Sequence, residues 1–474
     1  MCSTMSRRRV LTSSSEWEDH LSSPATRPNL LMIMADQHRP DWLGCEGADW
    51  VRTPNLDRLA ARGMVFTQAT CNSPLCAPSR ISLASGMQPH RLGARDNSAF
   101  YPASVPTYYQ ALRDAGYRVS FVGKIDLHKP DPFNGRHGNL PITYAYGFTD
   151  PHECEGKMHA GTGWPRPHGP YNHYLAERGL LQRFCEDYHR RQREYPVWYA
   201  ADSVLPAEHC EDAYIGRWAS QFIENTVDES PWHLFVSFVG PHDPWDPPTE
   251  NADHFRDAPM PTPIADSLAG KPRWQHHRAK EQAGATAEEI AIVRRQYTAS
   301  VELIDDAVGQ ILASLEKRGQ VDNTYIVYCS DHGEMLGDHG FYEKSIYYEP
   351  SLRVPVIVAG PDLPQNARSD AMIELSDLNP TLLELAGLTP RAGLDARSFV
   401  PCLRGQTQQH RDFQISTIAN ALCLRTREQK YVANVNDLPE LYDLEADPHE
   451  LHNLAPEKPD LVRGLHRKLT RALA

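Results

Sequence analysis

Five short apolar runs punctuate the chain, at 29–34, 117–122, 232–239, 324–329 and 354–359. Each has the length and composition of a buried strand, and none alternates cleanly enough to leave one face in water. Between them the spacing of apolar positions changes to the helical period. A helix is predicted from Thr53-Pro54, with threonine as cap and proline in the first turn, to a stop at Gly63. A second covers 107–115 before Gly116, and a third covers 377–386 before Gly387. The longest, 287–317, carries Ile290, Val293, Tyr297, Val301, Ile304, Val308 and Leu312 on one face and stops at Gly319. Asp305 and Asp306 on this helix are expected to face solvent or form ion pairs. Strands alternating with helices predict an α/β sandwich, whose ligands bind at the carboxyl ends of the strands. Four of the five runs deliver reactive groups to that edge: Asp36, Gln37 and His38; Lys124; His242; and Asp331, His332 and Glu334. The fifth is followed only by Gly360 and Pro361.

Beyond about residue 390 the pattern changes to short polar strands at 412–416, 421–426, 430–434 and 440–444, then a helix near 457–473. This predicts a small C-terminal domain, 390–474, with an antiparallel sheet behind a catalytic domain of 27–389. Two stretches inside the larger domain, 130–230 and 245–287, show little periodicity and read as specificity or lid insertions. Residues 1–26 form a polar leader. Arg7 to Arg9 imitate an export signal, but the segment after them is too polar to serve as its apolar core, so a disordered leader and a cytoplasmic protein are expected. The 474 residues carry a net charge of −13, which argues against a general nucleic-acid binder and against a polybasic membrane anchor. No apolar run is long enough to span a bilayer. Ten cysteines without a C-x-x-C pair do not make a disulfide framework, and Cys45, Cys185 and Cys329 are expected as buried thiols.

One cysteine stands apart. Cys76-Ala-Pro-Ser-Arg80-Ile-Ser-Leu83-Ala-Ser85-Gly86 places a thiol at the start of a short helix ending at a glycine, where free backbone N–H groups and the positive end of the helix dipole suit an anionic substrate. Arg80, one turn on, can reach back towards residue 76. The pattern C-x-P-S-R-x-x-L-x-S-G resembles the signature of type I sulfatases, members of the alkaline phosphatase superfamily, in which this cysteine is oxidised to formylglycine. The likeness extends over most of 27–460, including Glu440-Leu-Tyr-Asp-Leu444 near the end. Ser73-Pro-Leu-Cys76, Asp96-Asn97, Pro241-His242-Asp243-Pro244 and Asp331-His332-Gly-Glu-Met-Leu-Gly337 look most like choline sulfatases. Phosphonate monoester hydrolases share the Asp-Gln and Asp-His pairs. The resemblance implies a large mixed central sheet flanked by helices, plus a small C-terminal domain.

It also implies a reaction: hydrolysis of sulfate monoesters by the hydrate of residue 76, with one hydroxyl attacking sulfur and the other later expelling sulfate by carbon–oxygen cleavage. A separate formylglycine-generating enzyme would mature the thiol. A divalent cation would be held by Asp36, Gln37, residue 76, Asp331 and His332, with calcium the first choice and magnesium or manganese the alternatives. Arg80 and Lys124 would hold the hydrate and developing charge, His242 and Lys344 would bind sulfate or act as general acid, and Asn97 would touch a sulfuryl oxygen. The chain departs from the common pattern at Gln37, where many sulfatases have aspartate, and at His332, where many have asparagine. After Lys124, where many relatives read Lys-x-His, it has Asp126, with His128 two residues later. Either is a candidate base, with His128 favoured because an imidazole titrates near neutrality. The rivals are a phosphonate or phosphate ester hydrolase on the same fold and a non-catalytic binder of sulfated ligands. The expected partners are a small sulfate ester and the maturing enzyme, with no nucleic acid and no membrane; self-association is left open.

Overall fold

The computed structural model describes residues 27–128, 134–227 and 230–473. The leader lies outside the described residues. An eight-stranded sheet forms the core, built from β1 (Asn29–Asp36), β2 (Gly63–Thr70), β3 (Arg118–Gly123), β4 (Asp150–Glu153), β5 (Trp232–Pro241), β6 (Thr324–Ser330), β7 (Val356–Ala359) and β8 (Ala367–Glu374). Their order is β4-β3-β5-β1-β6-β7-β2-β8. The five strands from β4 to β6 run parallel, with Leu31 opposite Leu234 on one side and Ile326 on the other. β7 is antiparallel to both neighbours.

β1 is buried along its whole length because helices cover both faces of the sheet. Its side chains alternate between two cores. Leu30, Met32 and Met34 meet Ile81, Leu112 and Leu382 from the helices Cys76–Ser85, Tyr108–Asp114 and Leu378–Leu385. Leu31 and Ile33 meet Leu56, Ile215 and Ile304 from the helices Pro54–Ala61, Glu211–Asn225 and Ala287–Lys317 on the other side. A second sheet of β9 (Gln414–Ile418), β10 (Ala421–Arg425), β11 (Gln429–Asn434) and β12 (Glu440–Asp443) is antiparallel throughout. The helix Pro459–Leu473 packs Leu465 and Leu469 against it. Among the described residues no helix is long and apolar enough to cross a membrane.

The five apolar runs are all strands, but the fifth runs opposite to the others. Its Gly360-Pro361 end therefore leaves from the edge away from the reactive groups. Three strands escape the periodicity: β2 reads GMVFTQAT, and β4 and β8, at the two sheet edges, read DPHE and ARSDAMIE. The stretch 130–230 supplies β4 and the Glu211–Asn225 helix, both integral to the sandwich. Asp305 does not face solvent. It is fully buried and accepts hydrogen bonds from the Asn55 and Leu56 backbone N–H groups at 3.1 and 2.8 Å. It thus does the capping expected of Thr53, whose side chain makes no cap bond. Cys45 is only partly buried, and the nine cysteines among the described residues are all free thiols.

Candidate active site

The parallel strands converge at one edge of the sheet. β1 ends in Asp36, β3 leads into Lys124, β5 into His242 and β6 into Asp331. The helix Cys76–Ser85 starts beside them, and its Ala77 N–H donates to Asn97 Oδ1 at 3.1 Å. Asn97 thereby satisfies one of the amides a helix start leaves open.

Cys76 is 1% exposed; its Sγ lies 3.2 Å from His332 Nε2 and 3.8 Å from Asp36 Oδ1. His332 Nδ1 lies 2.9 Å from the Gly333 carbonyl, a contact that fixes the tautomer with Nδ1–H and turns Nε2 inward. Asp36, Cys76, Asp331 and His332 each offer one ligand atom, all within 4.8 Å of one another and all buried. Two ligands on opposite sides of a cation with bonds of about 2.4 Å stand about that far apart, so the cluster is the right size for calcium, magnesium or manganese. Gln37 sits at its margin: Oε1 accepts from Lys344 Nζ at 2.6 Å, while Nε2 donates to Asp243 at 3.4 Å and to Glu334.

Arg80 is the hub. Its Nε donates to Asp331 at 2.8 Å and Nη2 to Asp36 at 3.1 Å, while Nη1 reaches the Lys124 carbonyl at 2.5 Å and Ser237 Oγ at 2.7 Å. Lys124 Nζ binds Asp36 at 2.6 Å and Asp126 at 3.3 Å. Lys344 Nζ lies 2.5 Å from His242 Nε2, and His242 Nδ1 donates to the Asp243 carbonyl at 2.6 Å.

The charges bias one another strongly. Burial pushes the Asp36 carboxyl up, but Lys124, His242, Arg80 and His332 outweigh it and hold it well below the ordinary carboxylate range. Burial and Asp36 also push the Cys76 thiol up; Lys124, Lys344 and His332 overcome both and bring it down to about 5, so it is a thiolate at neutral pH. Burial lowers His332, but Asp331 and Cys76 raise it to about 9. An imidazolium there supplies the positive charge that the cluster demands, and a cation must displace that proton to bind.

A cavity of about 240 Å³ opens over these groups, lined by Cys76, Asn97, Lys124, Asp126, Lys157 and His242 among others. Asp126 therefore stands where His128 was favoured. His128 is buried away from the cavity, 3.3 Å from Glu153 and packed on Tyr146. Asp126 holds a left-handed backbone at φ 51°, a strained conformation that aims its carboxylate at Lys124. Lys157 escapes the sequence reading because it follows β4, whose three polar residues and one proline give no strand signal. Asp243 was visible in Pro241-His242-Asp243-Pro244, but its link to His242 was not.

A mixed α/β sheet whose parallel strands gather buried acids, an imidazole, a cysteine and clustered cations at their carboxyl edge is the frame of an alkaline phosphatase-like hydrolase. The chain belongs to the sulfatase family, whose family model, described as Sulfatase, matches residues 28–388. A second model, N-sulphoglucosamine sulphohydrolase, C-terminal, matches 337–474. The chain is 32% identical over 447 residues to the choline-sulfatase of Rhizobium meliloti (strain 1021), covering 90% of this chain and 82% of that protein. It is 30% identical over 494 residues to the multifunctional alkaline phosphatase superfamily protein PehA of Trinickia caryophylli, covering 94% of each. The crystal structure of the phosphonate monoester hydrolase of Agrobacterium radiobacter superposes with a TM-score of 0.77 at 25% identity, covering 94% of this chain and 95% of that one.

Proposed function

We propose that this sulfatase-family enzyme hydrolyses sulfate monoesters to sulfate and an alcohol or phenol, using a formylglycine hydrate made from Cys76 and a divalent cation. The observation that carries this reading is the meeting of Cys76, Asp36, Asp331 and His332 within 4.8 Å, with Cys76 opening into a cavity walled by Lys124 and His242. The donor set fits a hard or borderline cation, and Gln37, expected as a further ligand, turns its Oε1 to Lys344 Nζ at 2.6 Å. When bound, the cation and the hydrate supply a low-pKa hydroxyl and charge neutralisation at the ester oxygens.

The chain's own residues do the rest. Arg80 ties Asp36 to Asp331 and so fixes the spacing of the two carboxylates. The Lys124 and Lys344 ammonium groups flank residue 76 and receive the sulfuryl oxygens. Lys344 Nζ donates to His242 Nε2 while His242 Nδ1 donates to the Asp243 carbonyl, and this pair is placed to protonate the departing oxygen; burial lowers the imidazole's pKa, but Asp243 raises it above its ordinary value. Asp126, on the cavity wall, is placed to accept the proton whose removal releases sulfate. A phosphonate or phosphate ester hydrolase is the second reading, favoured by Gln37 and by an imidazole at His332, which together remove an anionic ligand.

The test compares an aryl sulfate with an aryl phosphonate monoester, using protein co-produced with a formylglycine-generating enzyme, with Cys76→Ala as blank. A peptide mass lacking sulfur and two hydrogens and carrying one more oxygen at residue 76 certifies maturation. Cys76-dependent turnover dominated by sulfate is the expected result. Dominant phosphonate turnover promotes the second reading, and no turnover of either by matured protein rejects both.

A further inference from the structure

A second cavity, of about 370 Å³, adjoins the first, and Met158 lines both. Its wall also includes Asp243 and Glu343, the neighbours of His242 and Lys344. The two cavities thus share a wall at Met158, beside the groups that face the sulfate position. Two features define what it accepts. Tyr195 and Tyr199 line it, stacked with ring centroids 3.8 Å apart and planes within 12°, next to Val197, which is 39% exposed. An exposed aliphatic side chain beside preordered rings offers a flat apolar surface at little entropic cost. The second feature is charge. Among the described residues the lining holds one cation, Arg191, and it is turned to partners of its own: Nε binds Asp187 at 2.6 Å, while Nη1 and Nη2 donate to the Ala201 and Asp202 carbonyls at 3.2 and 2.7 Å; Arg190, 5.9 Å over the Tyr195 ring, pairs with the same Asp187 at 2.7 Å. Lys157, on the first cavity's wall, is likewise held by Asp246 at 2.9 Å and the Pro244 carbonyl at 3.1 Å. Against these stand the lining carboxylates Asp243 and Glu343.

Resting on the sulfate-ester reading of the adjacent site, we propose that this second cavity binds the leaving alcohol. It takes a ring with a flat apolar face, an aryl group or the face of a sugar, and rejects leaving groups that carry a second anionic charge. A second sulfate, phosphate or carboxylate would enter a chamber lined by two carboxylates whose one lining cation is already paired with Asp187, so like-charge repulsion opposes it.

The test measures binding to the Cys76→Ala protein, so it does not depend on turnover. The probes are phenyl sulfate bearing a para carboxylate, its methyl ester, a monosaccharide 6-sulfate and inorganic sulfate. The ester is expected to bind at least about tenfold tighter than the carboxylate. Gln192→Lys, on the exposed face of the helix Leu181–Glu194 and in the cavity lining, should abolish or reverse that preference. Tyr195→Ala should weaken the ester at least about fivefold, by loss of ring contact, and leave inorganic sulfate unchanged. Whether the sugar sulfate shares that loss assigns the flat face to aryl or pyranose. Equal binding of ester and carboxylate, or a Tyr195→Ala change that weakens inorganic sulfate equally, overturns the proposal. Discrimination in binding without turnover by matured protein keeps the cavity assignment and rejects the reaction.

Discussion

At the residue scale the site is an arrangement of mutually dependent charges. Asp126 and His128 make the sharpest comparison. Imidazole chemistry favours His128, yet only Asp126 reaches the cavity, because the left-handed turn at 126 points its side chain to Lys124 and carries the chain on to bury His128 beside Glu153. A sequence gives residue types in order; it does not give the sign of φ at a non-glycine position. Asp126→Asn is expected to cut turnover by about 10²–10⁴-fold, the usual contribution of a proton-transferring group, with KM little changed. His128→Gln should stay within about threefold of wild type in kcat, provided thermal melting shows it folded. Steady-state kinetics on an aryl sulfate decide the matter, and the reverse ranking would restore His128 as the base.

At the scale of elements, the strongest example is a helix capped by a residue 250 positions away. Asp305, on the Ala287–Lys317 helix, binds the first amides of Pro54–Ala61 and thus locks two helices of one layer together. Burial raises its carboxyl to about 6, with the hydrogen bonds from Leu56 and Asn55 opposing the rise. The unfolded chain releases this proton near pH 4. Below that pH both states hold the proton; between about 4 and 6 only the folded state does, so the group's contribution to stability falls as pH rises and is constant above about 6. Asp305→Asn removes this dependence. Its stability gap from wild type is expected to narrow from pH 4 to pH 6 and then stay level, as denaturant unfolding at several pH values would show. The loss of a capping acceptor should cost about 1–2 kcal/mol. The element pattern was otherwise well written in the sequence. The 287–317 helix is where its periodicity puts it, since burial of one face imposes that period, and the five strands are where continuous apolar runs put them, since the sheet is buried on both faces. What was hidden is what burial does not dictate: the polar edge strands β4 and β8, the direction of β7, and caps supplied from distant helices. The site was legible to the same extent. Asp36, Cys76, Lys124, His242 and Asp331 follow strands or begin a helix and converge because the sheet is parallel, whereas Lys157, after an unread strand, was invisible.

At the scale of the molecule, the change of pattern near residue 390 marks a second sheet that buries one face in a small core of its own, with Ile415, Leu424 and Tyr431 against Leu465 and Leu469, and the other face in the main core. Ala421, Cys423 and Val432 of that sheet belong to the same apolar cluster as Leu30 and Met32 of β1. Tyr442 packs with Phe341, Ile346 and Tyr348, from the segment that carries Lys344. A buried ion network joins the same regions. Arg425 grips Glu349 at 2.9 and 2.8 Å, Lys430 reaches Glu349 at 3.0 Å, and the other side of Lys430 meets Glu450 at 2.5 Å. Burial raises the Glu349 carboxyl, but Arg425 and Lys430 together hold it far below its ordinary range. The stabilisation this represents is present above the unfolded value near 4.3 and is lost as pH falls towards the depressed one. Arg425→Met removes one cation from the network while keeping the volume filled. It is expected to destabilise the protein by about 3–5 kcal/mol at neutral pH, because Glu349 stays buried with half its compensation gone. That deficit should shrink below about pH 4.3, where the wild type progressively loses the stabilisation its paired carboxylate supplies. Because one face of the sheet and the ion network are shared with the larger domain, wild type and variant alike should unfold in one transition, with loss of activity tracking exposure of half-buried Trp274, which reaches the second sheet from the larger domain and whose indole donates to Asn434 at 3.2 Å. Two separated transitions, the C-terminal sheet melting while turnover persists, would show that Lys344 holds its place without the second sheet behind it.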